Sequence, residues 1–364
     1  MFERQYWRFI DWWMIGGLFT VSGFGLSIVY SASYSNPSSS FFETQLLWVF
    51  IGFVVLAAIM WLDYHIIADR AELLYVLFLG VLLYLLLFGD LRAATNRWLE
   101  LGGVRTLQPG EFAKLAVVIF LSKYFSAVRQ DKLRTSEILT TSIFVAPPVI
   151  LIALQPDLGT AVTIVFIYLV MVLLAGIRRK QLLCACLLVS LALPLSFNFL
   201  LKDYQKERIY SFLEPGRDPQ GTGYQSIQST IAVGAGGFNG KGWLAGTQSQ
   251  LQFLPTPHTD FVFAVIAEEF GFLGVTMVLL LYLLIALRGV DTARRSRDRL
   301  GMFLVTGVLS MFIFQTAYNI SMVAGLVPIK GFPLPLISYG GSSLLSTMMG
   351  FGLILSVRLR RFAN

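Results

Sequence analysis

Residues 261–287 read FVFAVIAEEFGFLGVTMVLLLYLLIAL, with Asp260 immediately before and Arg288 immediately after. The run contains only two charges, Glu268 and Glu269. A helix needs about 20 predominantly apolar residues to cross the hydrocarbon core of a bilayer, and this run exceeds that. Working outward, similar runs lie near 12–31, 44–62, 71–88, 110–128, 138–154, 159–176, 181–201, 300–326 and 340–357. With 261–287 they predict an all-α polytopic integral membrane protein of about ten transmembrane helices. The composition agrees. Of 364 residues, 56% are hydrophobic and 13% charged, against about 25% charged in an average soluble domain. That excludes a soluble globular chain and a disordered one. Two Cys exclude a disulfide scaffold, and two His exclude a His-rich metal centre. Cys184 and Cys186 sit two apart in an apolar run and read as filler. The first run follows Arg4 and Arg8, as a signal peptide might, but its length and the spans that follow favour an uncleaved helix.

The net charge of +7 is not a nucleic-acid signal, because basic residues in a membrane protein collect in cytoplasmic loops. With the N-terminus inside, 18 of the 28 Lys and Arg fall on inner segments. Arg178-Arg179-Lys180 and the Arg288–Arg299 segment lie inside, whereas 32–43 and 155–158 carry no basic residue. Both termini are therefore expected in the cytoplasm, and residues 1–364 are expected to form a single transmembrane domain. One connection stands out. The outer loop, about 202–259 between the seventh and eighth spans, is rich in Gly, Gln, Ser and Thr, and loops of that length are usually functional or disordered. Tyr210, Phe212, Tyr224, Phe238, Trp243 and Phe253 make an ordered loop the expectation. Its glycines, Gly234, Gly236, Gly237, Gly240 and Gly242, match neither the dinucleotide fingerprint nor the P-loop. A loop turning tightly against a lipid headgroup is the expectation.

Asp260 is the most informative acid. At the head of an apolar helix a carboxylate is desolvated, which raises its pKa and suits general-base work; an N-terminal helix cap is the plain alternative. Its helical face continues through Ala264, Ala267 and Gly271, small residues that could admit a lipid chain or a close-packed helix. Glu111 and Lys114 stand three apart near the outer start of the fourth span. Charges at membrane depth face a cavity or a partner, and here each is the other's simplest partner. Glu268 and Glu269 lie more than two turns below Asp260, with Glu269 on the opposite face, where it would support packing or a partner contact. Nine basic residues run against the inside bias: Arg92, Arg97, Arg105, Lys202, Lys206, Arg208, Arg217, Lys241 and Lys330. A lipid-linked phosphate on the outer side would use some of them; solvated loop charge is the alternative for any single one. Pro328, Pro333, Pro335 and the Gly340-Gly341 pair predict a non-helical approach to the last span, which must line a cavity or be covered by protein.

Taken together, Asn96-Arg97-Trp98, Gln108-Pro-Gly-Glu111-Phe-Ala-Lys114, Gln155-Pro-Asp157-Leu-Gly-Thr160, His258-Thr-Asp260-Phe and Pro333-Leu-Pro-Leu-Ile-Ser338-Tyr-Gly-Gly-Ser-Ser343 resemble the SEDS family of bacterial cell-wall proteins (shape, elongation, division and sporulation). The resemblance spans nearly the whole chain. Residues 246–255 and the short N-terminus are more similar to its elongation branch than to its division branch. Gly110 stands where the family usually has Ser. The resemblance implies a peptidoglycan glycosyltransferase that polymerises lipid II on the outer face of the cytoplasmic membrane, with a fold distantly similar to the GT-C transferases. By the same resemblance, Asp260 is the catalytic acid residue and Glu111 and Lys114 are a supporting ion pair. Arg97, Trp98, Gln108, Asp157, His258, Lys241 and Ser338 fall on substrate or cavity positions. No residue set is assigned to a metal and no cofactor is certain, although a divalent cation, Mg or Mn, is an alternative to outer Arg and Lys for holding pyrophosphate. The implied partners are a class B penicillin-binding transpeptidase, the elongation machinery, and lipid II with the undecaprenyl pyrophosphate-linked glycan; nucleic acid is not among them. A lipid II flippase or transporter is the rival function, and a non-catalytic scaffold a third. A flippase would show midplane charges and an inverted repeat, and neither is evident.

Overall fold

The computed structural model describes residues 10–35, 40–88, 97–101, 104–128, 130, 132–187, 190, 203–217 and 221–362. In chain order its elements are α1 (Trp12–Ser33), α2 (Phe41–Trp61), the short α3 (Tyr64–Asp69), α4 (Ala71–Phe88), β1 (Leu99–Leu101), β2 (Val104–Leu107), α5 (Pro109–Ala127), α6 (Thr135–Leu154) and α7 (Leu158–Gly176). Residues 179–187 are helical and form α8. Then follow α9 (Asp203–Leu213), α10 (Thr222–Ala235), α11 (Thr247–Gln250), α12 (Val262–Arg294), α13 (Arg299–Val323) and α14 (Gly341–Leu359). Among the described residues, α1, α2, α4, α6, α7, α12, α13 and α14 are the eight helices long and apolar enough to cross a membrane. Helix α5 is 19 residues long and carries Glu111, Lys114 and Lys123, whose charges its neighbours enclose or pair. The expected crossing at 181–201 lies largely outside the described residues. The chain is an all-α, multi-pass membrane protein.

Burial grades from the centre outward. In α14 and α13, 83% and 67% of the most apolar window is buried, against 28% in α2 and 22% in α4. Helices α5, α13 and α14 thus form the middle of the bundle. Helix α2 runs along α14, α1 along α12, α4 against α5, and α7 against α6 and α13. The peripheral helices turn large apolar side chains outward, among them Phe19, Phe50, Leu73, Val76, Leu87 and Ile143, as a lipid-facing surface requires.

Helix α12 is not the straight span expected of 261–287. Gly271 breaks it with φ 61° and ψ −157°, a conformation that only glycine adopts freely. The break frees backbone groups on both sides, and the glycine-rich loop satisfies them. Lys241 N donates to Glu268 O and Gly242 N to Glu269 O, both at 2.9 Å. On the other side, Phe272 N donates to Gly237 O at 2.9 Å and Leu273 N to Phe238 O at 3.2 Å. A Cβ on Gly236 would stand 1.8 Å from Ala267 O, and one on Gly240 2.1 Å from Glu269 O. Gly236 and Gly240 are therefore required by close contact with the backbone of the broken helix. The same contact decides between the two alternatives for the Ala264, Ala267 and Gly271 face in favour of close packing. Ala264 and Ala267 are buried and the loop lies against Ala267, so that face is filled by protein and is not a lipid groove.

The end of the bundle opposite the head of α12 is braced by ion pairs. Asp11 caps α1 and takes Arg288 of α12 at 2.9 Å and Arg358 of α14 at 3.0 Å. Arg358 also reaches Asp291 at 2.9 Å. Nearby, His65 bridges Asp63 and Asp298, and Arg360 meets Asp63 at 3.3 Å.

Candidate active site at the head of helix α12

The segment before α12 is held by its backbone. Tyr339 N donates to His258 O at 2.8 Å. Ser338 Oγ donates to Thr259 O at 2.6 Å and itself accepts from Leu334 N at 2.8 Å. Asn319 Nδ2, on α13, donates to Asp260 O at 2.8 Å. Three consecutive carbonyls are thus held by α13 and the proline-rich loop that leads into α14. Gln45 of α2 in turn holds that loop, donating to Ser338 O at 3.1 Å and accepting from Gly340 N at 3.2 Å. The His258 ring stacks on Phe41 with centroids 4.2 Å apart, and burial depresses its pKa. Through this stacking contact His258 packs the segment that leads to Asp260.

The Asp260 carboxylate itself takes no ion pair or hydrogen bond among the described residues. It is not the N-terminal cap of α12, since Phe261 occupies that position. Its carboxylate lies beside Gly331, where a Cβ would come within 3.3 Å of Oδ2. Burial raises its pKa to about 6, against the pull of the Arg97 and Arg208 guanidiniums. Arg208 also acts on Lys330. Lys330 has its own pKa lowered, first by burial and then by Arg208, while Asp157 opposes the fall. The Nε of Arg97 is buried with no hydrogen-bond partner among the described residues. Trp98 follows it, half-buried, at the foot of the antiparallel β1–β2 hairpin that pairs Leu99 with Leu107 and leads into α5.

The remaining expected residues divide into two groups. Gln108 and Asp157 come together: Gln108 Nε2 donates to Asp157 Oδ2 at 2.7 Å. Asp157 also caps α7 by accepting from Thr160 N at 3.2 Å and Thr160 Oγ1 at 2.9 Å. Glu111 and Lys114 form a closed pair, Lys114 Nζ standing 2.9 Å from each Glu111 oxygen. Ser346 of α14 adds a donor to Glu111 at 3.2 Å, and Lys114 is wholly buried. Two expectations need correction. Lys241 is not among the charges acting on Asp260. Its Nζ binds Glu268 Oε1 and Thr247 Oγ1, each at 2.7 Å, because the loop that carries it is docked on the α12 break. Ser338 lines no open cavity, since backbone groups use its hydroxyl as donor and as acceptor. Glu269 takes Ser31 of α1, which makes it a helix-packing residue. Asn319, Gln45 and Ser346 were not anticipated; a polar residue within an apolar helix is the signal that could have marked Asn319 and Ser346.

Among the described residues no three His, Cys, Asp or Glu side chains gather in a way that could hold a metal ion. An apolar crevice of about 390 Å³ lies between α7, α12 and α13, lined by Phe166, Val170, Val290, Met302 and Ile313. Its lining reaches Arg294 toward the ion-paired end and does not include Asp260.

A bundle of apolar helices with a carboxylate that has no ion pair among the described residues, and with cations near it at one end, defines the class: a polytopic membrane protein. Comparison with known proteins then places it. Residues 3–362 match the FtsW/RodA/SpoVE cell cycle protein model, and the chain belongs to that family. It is 38% identical over 339 residues to the peptidoglycan glycosyltransferase MrdB of Escherichia coli K12, covering 92% of this chain and 91% of that one. It is 38% identical over 347 residues to stage V sporulation protein E of Bacillus subtilis 168, covering 92% of each. Among solved structures, a chain of a peptidoglycan synthase complex that coordinates polymerization and crosslinking superposes with a TM-score of 0.84 at 32% identity, covering 98% of this chain and 99% of that one. The rod shape determining protein RodA of Thermus thermophilus superposes at 0.73 with 28% identity, covering 98% of each.

Proposed function

We propose that the head of α12 is where this peptidoglycan glycosyltransferase joins one lipid-linked disaccharide to the next, with Asp260 as the general base. The chain is an enzyme of cell-wall synthesis. In the proposed step the Asp260 carboxylate takes the proton of the acceptor hydroxyl, the GlcNAc 4-OH of lipid II. That oxygen forms a bond to the anomeric carbon of the growing strand. The bond from that carbon to undecaprenyl pyrophosphate breaks, and the pyrophosphate leaves with the electron pair. Displacement from the opposite face inverts the centre and gives a β-linkage. One carboxylate suffices, because the leaving group is already activated.

The observation that carries this reading is a carboxylate without an ion pair among the described residues, its pKa raised to about 6 by burial and its neighbours Arg97 and Arg208 cationic. A base poised near the working pH balances ionisation against proton affinity. Arg97, Arg208 and Lys330 are the cations gathered near it, and we assign them to the developing pyrophosphate charge. A Mg²⁺ or Mn²⁺ ion, if bound, would neutralise the same pyrophosphate charge. Glu111–Lys114 supports the helices beneath the site. The basic-residue asymmetry supports placing Asp260 on the outer face of the bacterial cytoplasmic membrane, with both termini inside. The partner we propose is a class B penicillin-binding transpeptidase, which would cross-link the strands; the similarity to a chain of a synthase complex supports it.

The experiment is purified chain with lipid II, alone and with the transpeptidase, resolved by gel for glycan strands. The parent is expected to polymerise and Asp260→Asn to yield none. Strands made by Asp260→Asn at the parental rate would overturn the assignment. Fluorescent lipid II crossing proteoliposomes without being joined would favour the flippase instead.

A further inference from the structure

Asn319 lies in the last turns of α13 and is completely buried. Its amide makes two donations, to Asp260 O at 2.8 Å and to Phe332 O at 2.6 Å. Two carbonyl acceptors fix the orientation of the amide, since the flipped form would set its oxygen against both. Both N–H bonds are thereby used, and Oδ1 is left buried with no partner among the described residues. The two carbonyls belong to different segments. One carries the carboxylate. The other follows Gly331, whose backbone stands against that carboxylate, so close that a Cβ there would lie 3.3 Å from Oδ2. The side chain therefore sets the spacing between Asp260 and the backbone that shields it.

We propose that Asn319 is a positioning residue for the reaction, holding Asp260 against Gly331 by bridging the two backbones, an inference that rests on Asp260 being the base. The other donors in this region, Tyr339 N and Ser338 Oγ, hold the preceding carbonyls of His258 and Thr259 and leave that of Asp260 to Asn319. Loss of the bridge separates the two segments and admits water to the carboxylate. The charged groups acting on Asp260 are Arg97 from the segment before β1 and Arg208 from α9. The other titratable groups nearby among the described residues are His258 in its own segment, Lys330 and Tyr339 in the proline-rich loop, Tyr318 on α13 and, acting on Lys330, Asp157 at the start of α7. Arg208 reaches Lys330 and Tyr318 as well. None of these is removed by a change at Asn319, so a shift in the acid limb reports hydration of Asp260 itself.

The test is the pH dependence of lipid II polymerisation by Asn319→Leu and Asn319→Ser in the full-length chain, beside the parent, Asp260→Asn and Thr316→Val. Thr316 is buried one turn earlier on α13 and its hydroxyl has no partner among the described residues, so it reports disturbance of the helix alone. For Asn319→Leu, kcat is expected to fall on the order of a hundredfold, as misplacing a reacting group by about 1 Å can do. KM for lipid II is expected to change little, and the acid limb to move below that of the parent, toward the ordinary carboxylate range. Asn319→Ser keeps one donor and should fall between Leu and the parent. Thr316→Val should match the parent. If Asn319→Leu does not fold, Asn319→Ser decides alone. An unmoved acid limb with parental kcat in a folded Asn319 variant overturns the proposal while Asp260→Asn remains inactive. Activity in Asp260→Asn overturns the underlying reading instead.

Discussion

At one end of the bundle Asp11 takes Arg288 and Arg358, Asp291 takes Arg295 and Arg358, and Asp298 takes His65. At the other end Asp260 has no such partner among the described residues, although Arg97 and Arg208 act on it from a distance. Between the ends, Glu111 and Lys114 close on each other. A buried charge satisfied by a directly bonded partner is committed to holding helices together. A carboxylate held through its backbone, whose oxygens take no bond among the described residues, is free to exchange a proton. The contrast separates bracing from chemistry without reference to any substrate, and it can be attacked from either side.

The largest effect should come at the unpaired end. Asp260→Asn removes the base while keeping size and backbone, and polymerisation should fall by about 10² to 10⁴, the usual contribution of a general base, with the melting temperature unchanged. At the paired centre the pattern should reverse. Lys114→Met strands Glu111 in the bundle and should cost roughly 3–5 kcal/mol of stability, read as a fall in melting temperature in detergent. Replacing both partners, as Glu111→Leu with Lys114→Met, should recover much of that loss, because a well-packed apolar pair is often no less stable than a buried ion pair. No recovery would indicate that the pair does more than brace.

Two smaller effects sharpen the comparison. Gly236→Ala drives a Cβ into Ala267 O, and loosening the loop around the α12 break should cost about 1–3 kcal/mol, typical of overpacking. That variant should lose stability before it loses kcat. Arg208→Ala removes a cation that holds the Asp260 pKa down. Its acid limb should therefore move to higher pH, by roughly half a unit or more, with about a tenfold loss in kcat/KM if Arg208 also meets the pyrophosphate.

The membrane class could be read from run lengths alone, and among the described residues the helix ends lie within a few residues of their expected places except in α12, which runs on to Arg294. Glu111 and Lys114 were legible because an i,i+3 spacing puts two charges on one helical face, where each is the other's nearest answer. Asp260 was legible as an acid at the head of an apolar run. The break at Gly271 was not, since the run is uniformly apolar across it and only the docked glycine loop shows where the released backbone groups go. Lys241 was misplaced for the same reason: a loop residue's partner is set by which surface the loop packs on, and that is a tertiary fact. Asn319 is not legible in the sequence, because an isolated amide in a helix has no periodicity and its role depends on two carbonyls, 59 residues before it and 13 after it.

The most direct test of the central claim is the pH–rate profile of the parent enzyme at saturating lipid II. A base whose pKa is raised by burial loses activity as pH falls through that pKa, because protonation removes the acceptor of the hydroxyl proton. The rate should therefore be at its plateau above pH 7 and fall with a midpoint near 6. A profile flat down to pH 5 would contradict an unpaired, desolvated Asp260 as the base.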